Sequence, residues 1–456
     1  MVKRGTWQSR LGFYFVAIGS AVGLGNLWRF PYVVGENGGG AFILMYVFLA
    51  IAVGAPILIA ELILGKTTGK SVIVATRESA EKFDKRYRWF GRLSVLLSLV
   101  VLSYYSVISG WVLHFITQFV VDIVKLAEFD AQVSGIEFLM KNGWLQWMLA
   151  SAHLLLTLVV VVKGIHDGLE KWISFIMPFF LILVGVLLFE SFSQPSMPDV
   201  LRFLFYPDFS KLTLSSLAHA LGHVFFTLSV GFGTMVTFGS YLKDQDHVPT
   251  TGFRVAIVDT LASLVAAVLI FPVVFQASNI PLTDPAMMFE ALPQFLKSIQ
   301  GGTIFGVLFF VCLYLAALNA SIGLLEVVVS NLKDLYKQLS RAQATWIAGA
   351  IALVLATLPA LSNSLFNQIR PFGKSLIEVL DSFLINWLLP IIVVGIAQIY
   401  LRSRSDKDLQ NQFVTSEKFI SQTMFPHWKL ALKYIVPTAV LLGLFLQIID
   451  LIKTNF

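Results

Sequence analysis

Two glycine-broken stretches hold the residues best placed to do chemistry: GSAVGLGNLWRFP, Gly19 to Pro31, and FTLSVGFG, Phe226 to Gly233. Each interrupts an apolar run long enough to enter a bilayer. Inside hydrocarbon an unpaired backbone N–H or C=O costs several kcal/mol, so a broken helix persists only where it lines a cavity or a bound ligand. The free amides at a half-helix N-terminus suit a carboxylate, and the free carbonyls at a half-helix C-terminus suit a cation or an ammonium group. Binding of ions and zwitterions is the chemistry these stretches offer. Covalent catalysis is not. His114, His153, His166, His219, His223 and His247 form no nucleophile or metal motif, and His219-x3-His223 alone is a weak zinc-like spacing. The chain reads as a non-enzyme.

The elements that position these stretches are membrane helices. The chain has 456 residues, 57% hydrophobic and 13% charged, with a mean hydropathy of +0.78. A soluble domain cannot hide that much apolar surface. With about 20 apolar residues needed per span, about eleven spans are expected, near 11–35, 40–65, 91–124, 144–162, 169–190, 216–241, 253–276, 302–335, 344–361, 375–400 and 430–450. The breaks fall in spans one and six. That interval suggests two five-helix repeats, about 11–190 and 216–400, with a site between them and an extra helix at about 430–450. The whole of 1–456 reads as one transmembrane domain. The single Cys312 excludes an intrachain disulfide, no cleavable signal peptide is apparent, and a net charge of +6 does not point to nucleic acid. The loop from Lys66 to Arg92 holds eight of the 33 lysines and arginines. This bias predicts a cytoplasmic N-terminus and, with an odd number of spans, an extracellular C-terminus.

RLGFYFVAIGSAVGLGNLWRFPY, ENGGGAF, the pair Tyr104-Tyr105, FFTLSVGFG, SYLKDQD and LAALNASI resemble, in this order and over most of the chain, the neurotransmitter:sodium symporter family. The likeness is strongest to bacterial amino-acid transporters of the leucine-transporter type. It implies an all-α integral membrane fold with an inverted five-helix repeat and broken helices one and six. It further implies a prokaryotic cell membrane, sodium as the coupling ion at two sites, and import of neutral hydrophobic L-amino acids, aliphatic or aromatic, by alternating access.

On that resemblance the Leu24 and Gly25 amides and the Tyr105 hydroxyl hold the substrate carboxylate. Carbonyls of Ala21, Phe226 and Thr227, with the Ser229 hydroxyl, meet the ammonium. Val101, Tyr105, Phe226, Phe232 and Leu324 line the side-chain pocket beside the small Ser20 and Ala320. Gly23 stands where monoamine carriers of the family have an aspartate, which argues for a substrate that brings its own carboxylate. Sodium site one is implied at the Ala21 carbonyl, Asn26, Thr227, Asp259 and the substrate carboxylate. Site two is implied at the carbonyls of Gly19, Val22 and Ala316 and the Asn319 side chain. The leucine transporter has threonine then serine at the positions of Asn319 and Ala320, so a hydroxyl is missing here.

The resemblance also implies an extracellular gate, Arg29 with Asp381, and an intracellular one, Arg4 and Trp7 with Tyr241 and Asp334. Glu61 is expected to brace the span-six break. Gly168 and Pro178 match a pattern that marks local unwinding of span five in relatives; Pro178 cannot donate a hydrogen bond to the Ser174 carbonyl. Chloride-dependent relatives bind chloride near the positions of Tyr46, His223 and Ser263. Asp259 lies one helical turn before Ser263, on the same face, and is expected to replace the anion. The alternative reading is a non-concentrating amino-acid sensor or channel; intact ion and gate residues argue against it.

Overall fold

The computed structural model describes residues 6–124, 135–243, 247–277, 287–298, 301–414 and 418–455. Every regular element among them is helical. Ten helices are long and apolar enough to cross a membrane: Leu11–Glu36, Gly40–Thr68, Lys85–Ile123, Gly143–Val162, Ile165–Phe192, Val248–Val273, Gly302–Leu335, Arg341–Ala360, Leu376–Arg402 and Gln422–Lys453. The remaining expected span is the broken one, the short helices Ser216–Thr227 and Thr234–Gly239, neither able to cross alone. Counted with it in chain order, these are spans one to eleven.

Spans one, three and eight form the interior of the bundle: 78% of the residues in the apolar stretch of each are buried. The corresponding shares are 33% for span five and 22% for span eleven, which turn Phe175, Phe189 and Phe445 outwards to hydrocarbon. The helix Trp89–Ile123 of span three has 35 residues. At about 1.5 Å per residue it outruns a hydrocarbon core about 30 Å thick, so one end stands clear of the bilayer or the helix tilts.

Four wide π turns have a common cause. Gly25–Arg29, Ala50–Gly54, Leu384–Leu388 and Ala431–Ile435 each end two residues before a proline: Pro31, Pro56, Pro390 and Pro437. Proline has no N–H and its ring crowds the carbonyl one turn back; the widened turn relieves the crowding. The wide turn Ile165–Glu170 at the start of span five differs. It follows Gly164, at φ 96°, and contains Gly168, pressed against the Val160 carbonyl where no Cβ fits.

The polar stretches between spans are more ordered than their composition suggests. Residues 66–90 contain the helix Val72–Ala80, and residues 402–428 contain Asp406–Phe413 and Lys418–Leu430. Ser405 starts the second of these with reciprocal side-chain and backbone hydrogen bonds to Asp408, a cap that satisfies first-turn amides without an apolar run.

Candidate functional site

Span one leaves its helix at Ala21. Val22 is extended (φ −76°, ψ 96°), and the chain resumes as the wide turn Gly25–Arg29. Asn26 props the break from within, its Oδ1 accepting from the Gly23 amide at 3.1 Å. The Leu24 amide donates to the Tyr105 hydroxyl of span three at 2.8 Å. These two groups, expected together at a substrate carboxylate, are hydrogen-bonded to each other.

In span six, helix Ser216–Thr227 gives way to six residues of turn before Thr234. Ser229, Gly231 and Gly233 all have positive φ (53°, 81° and 81°), and Ser229 is the one non-glycine among the described residues to do so. Two backbone groups of this turn and one of span one find side-chain partners. The Gly231 amide donates to Glu61 Oε1 of span two at 2.7 Å, so Glu61 braces the break as expected. The Phe232 carbonyl accepts from Ser98 at 2.7 Å, and the Ser229 hydroxyl donates to the Ser20 carbonyl of span one at 3.0 Å.

Between the breaks lies a small cavity of about 20 Å³. It brings together Ala21, Gly25, Tyr105, Phe226, Thr227, Ser229, Phe232, Ala320 and Leu324 from the expected set, with Ser20 and Gly23. Val101 and Leu24 are buried but do not line it. A Cβ at Gly23 would lie 2.8 Å from the Tyr105 hydroxyl and 2.9 Å from the Ala320 methyl, and one at Gly25 2.9 Å from the Phe226 ring. Both glycines therefore keep floor space that any side chain would take.

The expected sodium ligands are oxygens, which can replace an ion's hydration shell. Two buried oxygens among them have no hydrogen-bond partner: Asp259 Oδ2 and Asn319 Oδ1. Such an acceptor carries an unpaid desolvation penalty that a cation removes. At the first position Asn26 Nδ2 donates to Asp259 Oδ1 (2.7 Å), to the Asp259 carbonyl (3.2 Å) and to Ser263 Oγ (2.9 Å). Tyr46 is 3.0 Å from the same serine hydroxyl, and its ring packs on His223. Asp259 thus sits inside the Tyr46–Ser263 cluster, with Asn26 turning its Nδ2 rather than its oxygen towards it, which leaves the unpartnered Asp259 Oδ2 to meet a cation. At the second position Gly19 faces span five, where a Cβ would lie 2.9 Å from Ile173 Cγ2, and it touches Asn319 only at ordinary contact distance. Asn319 Nδ2 points to Met177 Sδ at 3.7 Å, and Ala320 supplies a methyl in place of an oxygen.

The model of the sodium:neurotransmitter symporter family matches residues 4–130 and 119–456. This chain belongs to that family. The symporter is 30% identical over 452 residues to the sodium-dependent transporter YhdH of Bacillus subtilis, covering 98% of each chain. It is 27% identical over 413 residues to the bovine sodium-dependent dopamine transporter, covering 78% of this chain and 57% of that protein. The crystal structure of MhsT in complex with L-phenylalanine is similar throughout: TM-score 0.90 and 31% identity, covering 97% of this chain and 100% of that one. The symporter is therefore a multi-pass, sodium-dependent transporter and not an enzyme.

Both expected gate pairs of the symporter can be located, apart from Arg4, which lies outside the described residues. Arg29 Nε meets Asp381 Oδ2 at 3.2 Å, with Arg29 3% and Asp381 13% exposed. Tyr104 donates to Asp381 Oδ1 at 3.0 Å, and Arg29 also reaches His223 Nδ1 and Asn386 Oδ1, each at 3.3 Å. At the opposite end Trp7 is buried among Phe13, Phe238 and Tyr241, its Nε1 donating to the Phe238 carbonyl at 3.2 Å. Asp334 Oδ2 accepts from the Ser71 amide at 2.7 Å. Of the hinge pair, Pro178 lies within the helix Lys171–Phe192, and Gly168 sits in a wound turn.

Sequence reasoning missed three charged side chains near the Trp7 end of the symporter. Glu326, fully buried in span eight, accepts from the Tyr241 hydroxyl at 2.8 Å and forms a two-nitrogen ion pair with Arg341 of span nine. Arg341 Nε also donates to the Val161 carbonyl of span four at 2.9 Å. Glu170 holds the start of span one. The signal for Glu326 was present: a lone carboxylate inside an apolar run is a functional candidate by default.

Proposed function

We propose that this symporter imports neutral, hydrophobic L-amino acids together with sodium by alternating access, without chloride. The observation that carries the reading is the meeting of the Leu24 amide and the Tyr105 hydroxyl over a glycine floor, beside Phe226, Phe232 and Leu324. A carboxylate entering between them would take both donors, and the apolar wall accepts an uncharged side chain. The similar MhsT structure contains L-phenylalanine. In this reading two sodium ions bind at the Asp259 and Asn319 positions, and two five-helix repeats enclose them. The Arg29 end faces outside and the Trp7 end the cytoplasm. Loosening of span five between Gly168 and Pro178 admits water to the second ion.

The test is labelled-leucine uptake by proteoliposomes under a sodium gradient, competed by a panel of amino acids and amines. Aliphatic and aromatic amino acids are expected to compete, and amines lacking a carboxylate are not. Competition by amines alone would overturn the substrate class. Leucine binding without accumulation would favour a sensor. Gly23→Asp is expected to cut uptake by about a hundredfold or more. Two like charges about 4 Å apart repel by about 4 kcal/mol at an effective dielectric constant of about 20.

Asp259 supports the chloride-independent part of the reading. Two sodium ions bring charge that a zwitterion does not balance, and a buried carboxylate supplies the counter-charge. Uptake is expected to survive replacement of chloride by gluconate in the native protein and to become chloride-dependent in Asp259→Asn. Strong chloride dependence of the native protein would refute this role.

A further inference from the structure

Glu170 closes the first turn of the wide helix start Ile165–Glu170 in span five, and its carboxylate leaves that span to grip span one. Oε2 accepts from the Gln8 amide at 2.9 Å. Oε1 accepts from the Ser9 amide at 3.0 Å and from the Ser9 hydroxyl at 3.2 Å. Ser9 is the N-cap of Arg10–Ala21, its Oγ accepting from the Gly12 amide at 2.8 Å. The amides at a helix start have no partner within the helix, and negative charge is favoured there. Glu170 meets both demands with charge-assisted hydrogen bonds while only 6% exposed.

Gly12 is part of the same arrangement. A Cβ there would overlap the Glu170 carboxylate, so the glycine is what lets the carboxylate lie against the helix. The neighbouring Trp7 is tied elsewhere, its backbone amide donating to the Tyr241 carbonyl at 3.3 Å and its ring to the Phe238 carbonyl at 3.2 Å. Residues 7–9 are therefore held on two sides, by span six through Trp7 and by span five through Glu170. Glu170 lies two residues after Gly168. Gly168 and the carboxylate are thus carried by one turn, Ile165–Glu170.

We infer that Glu170 is a positioning residue that latches the inner half of span one to span five, so that the inner path opens when it releases Gln8 and Ser9. The inference rests on the alternating-access reading above. Its consequence is a mechanical link: movement of span five at Gly168 is transmitted to the start of span one through one side chain.

The experiment uses the full chain in proteoliposomes with sodium and leucine. In Glu170→Ala, amide hydrogen exchange across residues 8–13 is expected to accelerate about tenfold, the scale of losing one charge-assisted hydrogen bond. Apparent leucine affinity is expected to fall about as much, because the inward-open state gains population at the expense of the binding state. Gly12→Ala, which pushes the carboxylate away, should act in the same direction. The double variant should be no worse than the more affected single one, since both changes remove the same contact. Glu170→Gln keeps an acceptor oxygen and should fall between native and Glu170→Ala; it replaces the alanine variant if that fails to fold. Unchanged exchange in residues 8–13, or additive effects in the double variant, would overturn the latch. Absence of sodium-driven leucine accumulation in the native protein would instead overturn the transport reading, while the exchange measurement still decides the latch.

Discussion

On one side of the cavity, Arg29 of span one reaches Asp381 of span ten, and beyond that pair opens a vestibule of about 310 Å³. On the other side, Trp7 is packed among three aromatic rings, and behind it Tyr241, Glu326 and Arg341 tie spans six, eight, nine and four together. The first closure is an ion pair flanked by Tyr104, His223 and Asn386, with an open vestibule against it. The second is a buried plug backed by a charged network. On the alternating-access proposal, the difference teaches that the two sides would open by unlike movements. Parting Arg29 from Asp381 rehydrates two side chains, whereas parting the other side must also undo aromatic packing and backbone hydrogen bonds.

The comparison can be broken most forcefully at Glu326. Removing one partner of a buried ion pair leaves the other charge uncompensated, typically at about 3–5 kcal/mol. Arg341 is 24% exposed, which places Glu326→Ala at the lower end, about 3 kcal/mol of lost stability. Thermal unfolding in detergent micelles checks it; a midpoint unchanged from native would show that the network contributes nothing to closure. Asp381→Asn comes next. It strips the counter-charge from the buried Arg29 but keeps an acceptor for Tyr104 and leaves Asn386 and His223 beside the guanidinium, so uptake is expected to fall about tenfold, near 1.5 kcal/mol, with a loss of thermal stability smaller than that of Glu326→Ala. A large stability loss would make the two closures alike after all. Tyr104→Phe should have the smallest effect, about 1 kcal/mol, seen as a modest loss of uptake at limiting leucine.

Much of this was legible in the sequence where a single physical rule dominates. Hydropathy alone marks ten continuous spans, because exclusion of charge from hydrocarbon acts on each segment independently of the rest. Both breaks were legible because Gly23 and Gly25, like Gly231 and Gly233, have few other reasons to interrupt an apolar run. Partner choice was less accessible. Glu170 grips residues 8 and 9, more than 150 positions earlier in the chain, and nothing local to span five announces that. Arg341 reads as an ordinary basic residue at a helix start until the packing of spans four and eight supplies its acceptors. The helix Asp406–Phe413 was hidden for another reason: a reciprocal cap stabilises it, and composition carries no trace of geometry.

The two breaks also differ in handedness. Among the residues joining the halves of span six, Ser229, Gly231 and Gly233 lie in left-handed backbone regions. Rewinding that segment into a right-handed helix would require all three to cross the steric barrier near φ 0°. Val22 and Leu24, by contrast, stay at negative φ (−76° and −57°), and so do Gly23 and Gly25, which are absent from the positive-φ glycines. Span one can tilt, wind or straighten by rotations within allowed space. Under the alternating-access proposal, span six would serve as the stiffer bearing and span one as the lever that turns against it.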